Sequence, residues 1–140
     1  MTLTLAQAPR HRMFCHCGIC QTVYRRAYSD FTISPWAHVS DANWDMIAFK
    51  RHKARFAVRR GTCKKCGDPV LAQLNYLPGI NLALIPARVL DGVEDRLIPL
   101  QHVYYKSRVD DVADDLPKYE GALRSNIACL KPFFAAQMGR

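Results

Sequence analysis

Apolar residues in this chain come in short runs divided by turn formers, not at the regular spacing of long amphipathic helices. Leu3 to Leu5, Met13 to Cys15, Phe31 to Ile33, Trp36 to Val39, Met46 to Phe49, Arg55 to Val58, Val70 to Leu74, Asn81 to Ile85 and Val103 to Tyr105 are β-favouring or alternating segments. Strands this short and frequent predict a mainly β fold of antiparallel sheets rather than βαβ units. The pattern changes near the C-terminus. Ile127, Leu130 and Phe134 follow Ser125, a candidate N-cap, and predict a short C-terminal helix whose first turn is constrained by Pro132.

Length and composition narrow the class. At 140 residues, with no repeat, low-complexity tract or linker, the chain is expected to form one domain over 1–140. Hydrophobic residues at 49% and charged residues at 23% exclude a wholly disordered or collagen-like chain. The longest apolar run, near Ile80 to Ile85, is interrupted by Asn81 and stopped by Pro86, well short of the roughly 18 residues of a membrane span. The N-terminal segment is too mixed for a secretory signal and soon reaches Arg10 and Arg12, so a cytoplasmic location is expected.

The formal charge of +8 is unevenly spread. Lys50, Arg51, Lys53, Arg55, Arg59, Arg60, Lys64 and Lys65 are clustered, with no acid between Asp45 and Asp68, whereas Asp110, Asp111, Asp114 and Asp115 form an acidic group. Such a basic stretch is most often a solvated strand or hairpin face; it also suits an anionic small molecule or a phosphate backbone. Phe49 and Phe56 are its only aromatic residues, so base stacking on nucleic acid is not favoured.

Cysteine spacing carries the chemistry. A reducing compartment disfavours a disulfide framework, so the clustered cysteines read as metal ligands. Thr62-Cys63-Lys64-Lys65-Cys66-Gly67-Asp68-Pro69 is a C-x-x-C-G turn between two predicted strands, in which two thiolates can grip one Zn²⁺ and Gly67 supplies a positive φ. Phe14-Cys15-His16-Cys17-Gly18-Ile19-Cys20-Gln21 is denser. Residues 15 and 17 share a face of an extended chain, and Gly18 allows the chain to return Cys20 to the same ion. Three thiolates leave zinc an exchangeable fourth position, which is the arrangement of a catalytic site. Alternation points His16 away from Cys15 and Cys17 and predicts a solvent-facing side chain. Cys129, on the predicted helix, is expected to be a buried small hydrophobe.

Together these residues resemble a known family. Cys15-His16-Cys17-Gly18-Ile19-Cys20-Gln21, Trp36 in a strand, Gly61-Thr62-Cys63-Lys64-Lys65-Cys66-Gly67-Asp68-Pro69-Val70, His102-Val103-Tyr104-Tyr105-Lys106-Ser107-Arg108 and Asp115-Leu116-Pro117-Lys118-Tyr119 are similar, in order, to motifs of the glutathione-dependent formaldehyde-activating enzyme/CENP-V family. The resemblance covers roughly residues 3 to 120. It implies twisted antiparallel sheets built around zinc and carbon–sulfur lyase activity, with Cys15, Cys17 and Cys20 matching the catalytic zinc ligands. Cys63 and Cys66 match half of a structural zinc site. Family members carry a C-x-C segment ahead of the first strand, whereas this chain reads Met1-Thr2-Leu3, so the pair lacks its usual partners.

Two arrangements are open. The pair can recruit two cysteines of the triplet into one closed four-thiolate site, or the triplet can keep its own zinc while the knuckle stays metal-free. The leading expectation is a zinc-dependent carbon–sulfur lyase-like protein acting on a thiol adduct of a small aldehyde, such as a glutathione hemithioacetal. The competing one is a non-catalytic, zinc-stabilised binding module whose basic face meets nucleic acid or an acidic partner.

Overall fold

The computed structural model describes residues 3–53, 58–75 and 77–140, and the fold is mainly β. In chain order the elements are β1 (Leu3–Leu5), β2 (His11–Cys15), α1 (Gly18–Tyr24), β3 (Ser29–Pro35), β4 (Val39–Ala42), β5 (Ile47–Lys50), β6 (Val58–Cys63), β7 (Pro69–Asn75), β8 (Asn81–Pro86), α2 (Val93–Arg96), β9 (His102–Val103) and α3 (Ala122–Gln137). Seven strands form one sheet in the order β5-β6-β7-β8-β3-β2-β9, and β1 pairs with β4 in a second, two-stranded sheet. All pairs are antiparallel except β2 with β9, which makes the large sheet mixed. Among the described residues no helix is long and apolar enough to cross a membrane.

The sheet separates two cores, because alternate residues of a strand point to opposite faces. On one face Met13, Cys15, Phe31, Ile33, Leu74 and Leu82 pack with Cys20 of α1 and Cys129 and Phe133 of α3. On the other, Ile47, Cys63, Leu71, Ala83 and Ile85 pack against Ala42, with Leu3, Leu5 and Trp36 partly buried over them. Cys129 is the buried hydrophobe expected, its Sγ 4.0 Å from Met13 Sδ, and burial pushes its thiol up to about 12.

The interior explains two sequence features. Gly61 sits where β5, β6 and β7 approach closely: a Cβ there would stand 2.7 Å from Ile47 Cγ2, 2.9 Å from Phe49 and 3.0 Å from the Leu71 carbonyl. Pro132 lies inside α3, where it cannot donate to the carbonyl of Ala128. Gln101 Nε2 donates to that carbonyl at 3.2 Å instead, so the helix continues.

Several sequence expectations are corrected. Trp36 begins a 3-10 turn, Trp36–His38, and is not in a strand; Met46 closes another, Trp44–Met46; Tyr105 opens a third. Ser125 does not cap the last helix, which begins after Gly121. It is buried in the helix, accepting from the Tyr104 amide at 2.7 Å and donating to the Tyr119 carbonyl. Helix α1 replaces the simple fold-back expected after Cys17. The predicted strand over 55–58 falls outside the described residues except for Val58, as do Arg55 and Phe56.

Candidate metal centre

Cys15 ends β2, Cys17 caps α1 and Cys20 lies in its first turn. The Cys17 side chain takes the N-cap role usually filled by Ser, Thr or Asp, with the Cys20 amide donating to its Sγ at 3.4 Å. That turn brings the three sulfurs within 4.8 Å of one another. Thiolates about 2.3 Å from a common tetrahedral ion stand roughly 3.8 Å apart, so a slight contraction would close them around a soft cation. Cys15 and Cys20 are buried, Cys17 is half-buried, and no other described His, Cys, Asp or Glu joins the group.

The thiols divide their protons unequally. Cys17 is held low, first by hydrogen bonds with Cys15 and Cys20 and further by the Cys20 amide and the charge of Arg60. Cys15 goes up because its bonds with Cys17 and Cys20 and its burial all favour the thiol. For Cys20 the bond with Cys15 pulls down, but the bond with Cys17 and burial outweigh it. A metal ion would bind all three as thiolates and so displace the protons that Cys15 and Cys20 keep.

Arg60 is the residue sequence reasoning missed. The charge pattern puts it among the cations of a solvated face, yet β6 turns it to the cysteine side of the sheet, where Nη2 stands 3.9 Å from Cys20 Sγ. Its neighbour Arg59 points to the other face, over the Phe49 ring at 4.2 Å, and donates to Gln73 Oε1. Strand alternation was the available signal. Lys50, Arg51, Lys53, Lys64 and Lys65 are exposed as expected, and Arg55 lies outside the described residues. Trp36, Trp44 and Phe49 also form an aromatic run, with ring centres 5.6 and 6.5 Å apart, assembled from segments the linear reading kept separate.

Cys63 and Cys66 are not brought to the triplet. Cys63 belongs to the core on the opposite face of the sheet, and Cys66 is exposed at the tip of the β6–β7 hairpin. The turn is well formed: the Gly67 amide donates to the Cys63 carbonyl at 2.8 Å, Gly67 has φ +78°, and the Lys65 amide donates to Cys63 Sγ at 3.4 Å. Bonds from the Cys66 and Lys65 amides draw the Cys63 thiol below its ordinary value.

His16 corrects another expectation. Alternation does turn it away from the cysteines, but it is fully buried rather than solvent-facing. Its Nε2 lies 2.8 Å from His102 Nδ1, and His102 Nε2 lies 2.7 Å from Asp114 Oδ2. A carboxylate can only accept, so His102 donates from Nε2; its Nδ1 accepts from His16 Nε2–H when His102 is neutral, and the buried His16 Nδ1 meets no hydrogen-bond partner among the described residues. Burial, then the charges of His102 and Arg108, push the His16 imidazole down to about 4. Asp114 would be raised by burial, but bonds from Lys118 and His102 outweigh this and hold it at about 2.

A cleft of about 620 Å³ lies elsewhere, lined by Arg12, Phe14, Tyr28 and Arg88. Arg12 and Phe14 alternate with Met13 and Cys15, so that cleft opens on the sheet face opposite the triplet. Arg12 is already spent, donating to both Asp30 oxygens and to the carbonyls of Glu94 and Leu97.

The model of the glutathione-dependent formaldehyde-activating enzyme family matches residues 1–107, which contain both cysteine clusters and Arg60. The chain belongs to that family. Comparison with individual curated proteins returns no significant match. Membership links the chain to glutathione-dependent formaldehyde activation, and the family match spans the three cysteines that could hold a metal.

Proposed function

We propose that the protein is a zinc-dependent carbon–sulfur lyase, one domain over 1–140, acting on the thiol adduct of a small aldehyde. Glutathione hemithioacetal is the leading substrate. The observation that carries the reading is the three-sulfur group, within 4.8 Å and with no fourth described ligand, in a chain of this family. In this reading Cys15, Cys17 and Cys20 hold the zinc, and Cys63 and Cys66 do not share it. A reducing compartment such as the cytoplasm would keep all of these thiols available.

Zinc, when bound, supplies a Lewis acid that stabilises negative charge developing on oxygen or sulfur. The protein's own residues do the rest. The three cysteines would hold the ion at the end of β2, and the half-buried Cys17 would mark the side from which an adduct enters. Cys15 and Cys20 are buried. In cleavage the adduct hydroxyl loses its proton, its oxygen becomes the carbonyl, the carbon–sulfur bond breaks with its electron pair on sulfur, and the thiolate takes up a proton. The reverse reaction joins thiol and aldehyde with the same balance.

Exchange spectroscopy on formaldehyde, glutathione and their adduct tests this. Zinc-loaded protein is expected to accelerate exchange, and Cys17→Ser to abolish the acceleration. Exchange at the uncatalysed rate with one zinc bound at the triplet would overturn the reading.

A further inference from the structure

On the cysteine side of β5 and β6, positive charge gathers for which the described residues supply no carboxylate partner. Lys50 pairs in register with Arg60, so both side chains point to the face that carries Cys20. Past the end of β5, His52 lies within reach of both charges: its imidazole is lowered by burial first and then by Arg60 and Lys50. Among the described residues the buried His52 Nδ1 meets no hydrogen-bond partner.

Among the described residues no Asp or Glu forms an ion pair with Arg60 or Lys50. Arg60 is half-buried, and its one side-chain hydrogen bond among the described residues is the long one to Cys20 Sγ. Arg12, two strands beyond the centre of the same sheet, shows the usual outcome, with all three nitrogens of its guanidinium donating. A partly buried guanidinium with free donors is costly unless an anion completes it. Its geometry favours a carboxylate, which can accept two parallel hydrogen bonds.

We propose that Arg60, supported by Lys50 and His52, is a carboxylate seat beside the sulfur triplet, and that it selects anionic thiols over neutral ones. An adduct whose sulfur approaches Cys17 would place a carboxylate on Arg60. The selected class is therefore thiols carrying a carboxylate a few bonds from sulfur, as glutathione does, and not simple alkyl thiols. The inference rests on the lyase reading for its substrate, but the seat itself is a property of Arg60 and can be tested without turnover.

The test uses zinc-loaded protein and its Co²⁺-substituted form, with calorimetry and the Co²⁺–thiolate absorption bands as readouts. Three probes are compared: glutathione, S-methylglutathione, which keeps the carboxylates but has no free thiol, and 2-mercaptoethanol. Arg60→Gln is expected to weaken glutathione and S-methylglutathione by about tenfold or more, the scale of a lost charged hydrogen bond, while 2-mercaptoethanol changes less than about twofold. Lys50→Gln, on an exposed side chain, is expected to give a smaller loss in the same order. It serves as the test if Arg60→Gln loses metal.

Added salt should weaken the two tripeptides and leave 2-mercaptoethanol unchanged. Equal losses for all three probes, or unchanged S-methylglutathione binding in both variants, would overturn the seat. If S-methylglutathione binds in an Arg60-dependent way but glutathione leaves the Co²⁺ bands unmoved, the seat stands and the lyase reading fails.

Discussion

Cys15 and Cys63 each end a strand, and each is followed in the next turn by a second cysteine. After Cys17 the chain enters α1, and the first turn of that helix places Cys20 beside the two sulfurs before it. After Cys66 the chain turns back at Gly67 into β7, and a hairpin has no residue to spare for a third sulfur. The surroundings diverge as well: the triplet lies in the core shared with α3, while Cys66 is exposed. The number of sulfurs brought together here follows from what the strand runs into, a helix or another strand. The spacing of the cysteines alone does not decide it.

The largest effect should separate the two clusters directly. Cys17→Ser removes one of three thiolates and is expected to weaken zinc by roughly 100-fold, with a lower melting temperature, because metal binding energy is folding energy. Cys129→Ser should leave zinc content unchanged, since its thiol sits against Met13 and belongs to no ligand group. Metal analysis of both variants checks the contrast; equal zinc loss would place Cys129 in the coordination shell and undo the assignment.

A second prediction damages the sheet behind the pair and spares the triplet. Gly61→Ala must push aside Ile47, Phe49 and the Leu71 carbonyl. Overpacking of this kind costs about 2 kcal/mol. Denaturant unfolding should show that loss while zinc per chain stays at the wild-type value. A parallel loss of zinc would mean that the two faces of the sheet are not independent.

Much of this was legible in the sequence, and the failures have physical causes. Short β-favouring runs located β1, β2, β3, β7 and β8, because burial on one face imposes alternation that survives in the sequence. Trp36 and Met46 have strand propensity but sit in 3-10 turns, where the chain crosses between the two sheets. Helix α1 was missed because its cap is a cysteine and its seven residues carry little periodicity. The triplet was readable from spacing, since its residues are neighbours in the chain. Arg60, His102 and Asp114 were not, since only strand pairing and a long return loop bring them to the cysteines or to His16. Burial of His16 could not be foreseen, because its partner lies 86 residues away.

The third prediction probes the strand that carries the triplet. Asp114→Asn removes the carboxylate that fixes His102 and, through it, His16 between Cys15 and Cys17. A cost of about 1.5 kcal/mol near pH 6 is expected for a lost charged hydrogen bond. The folded Asp114 is depressed to about 2, below its ordinary 3.8, so its contribution is complete above about pH 4 and disappears as the pH falls through about 2. Melting curves of the two proteins should therefore stay separated down to about pH 4 and converge below it. A gap that widens in acid would reverse the sign and place the proton elsewhere.

The smallest effect is expected at Cys66. Its side chain is exposed, and the hairpin tip is held by backbone bonds: the Cys63 amide donates to the Asp68 carbonyl and the Gly67 amide to the Cys63 carbonyl, both at 2.8 Å. An ion pair between Arg25 and Asp68 braces the same turn from outside. None of these uses the Cys66 sulfur, and serine is nearly isosteric with cysteine. If the pair holds no metal, Cys66→Ser should change stability by less than about 0.5 kcal/mol, the range of an ordinary surface substitution, and leave zinc per chain as it was. If the pair grips zinc after all, the same variant would lose metal and melt several degrees lower, and the contrast between hairpin and helix would collapse. X-ray absorption of the wild-type protein gives the independent check: three sulfurs and one light atom around zinc keep the two clusters distinct, whereas four sulfurs require Cys63 or Cys66 to have crossed from the other face of the sheet.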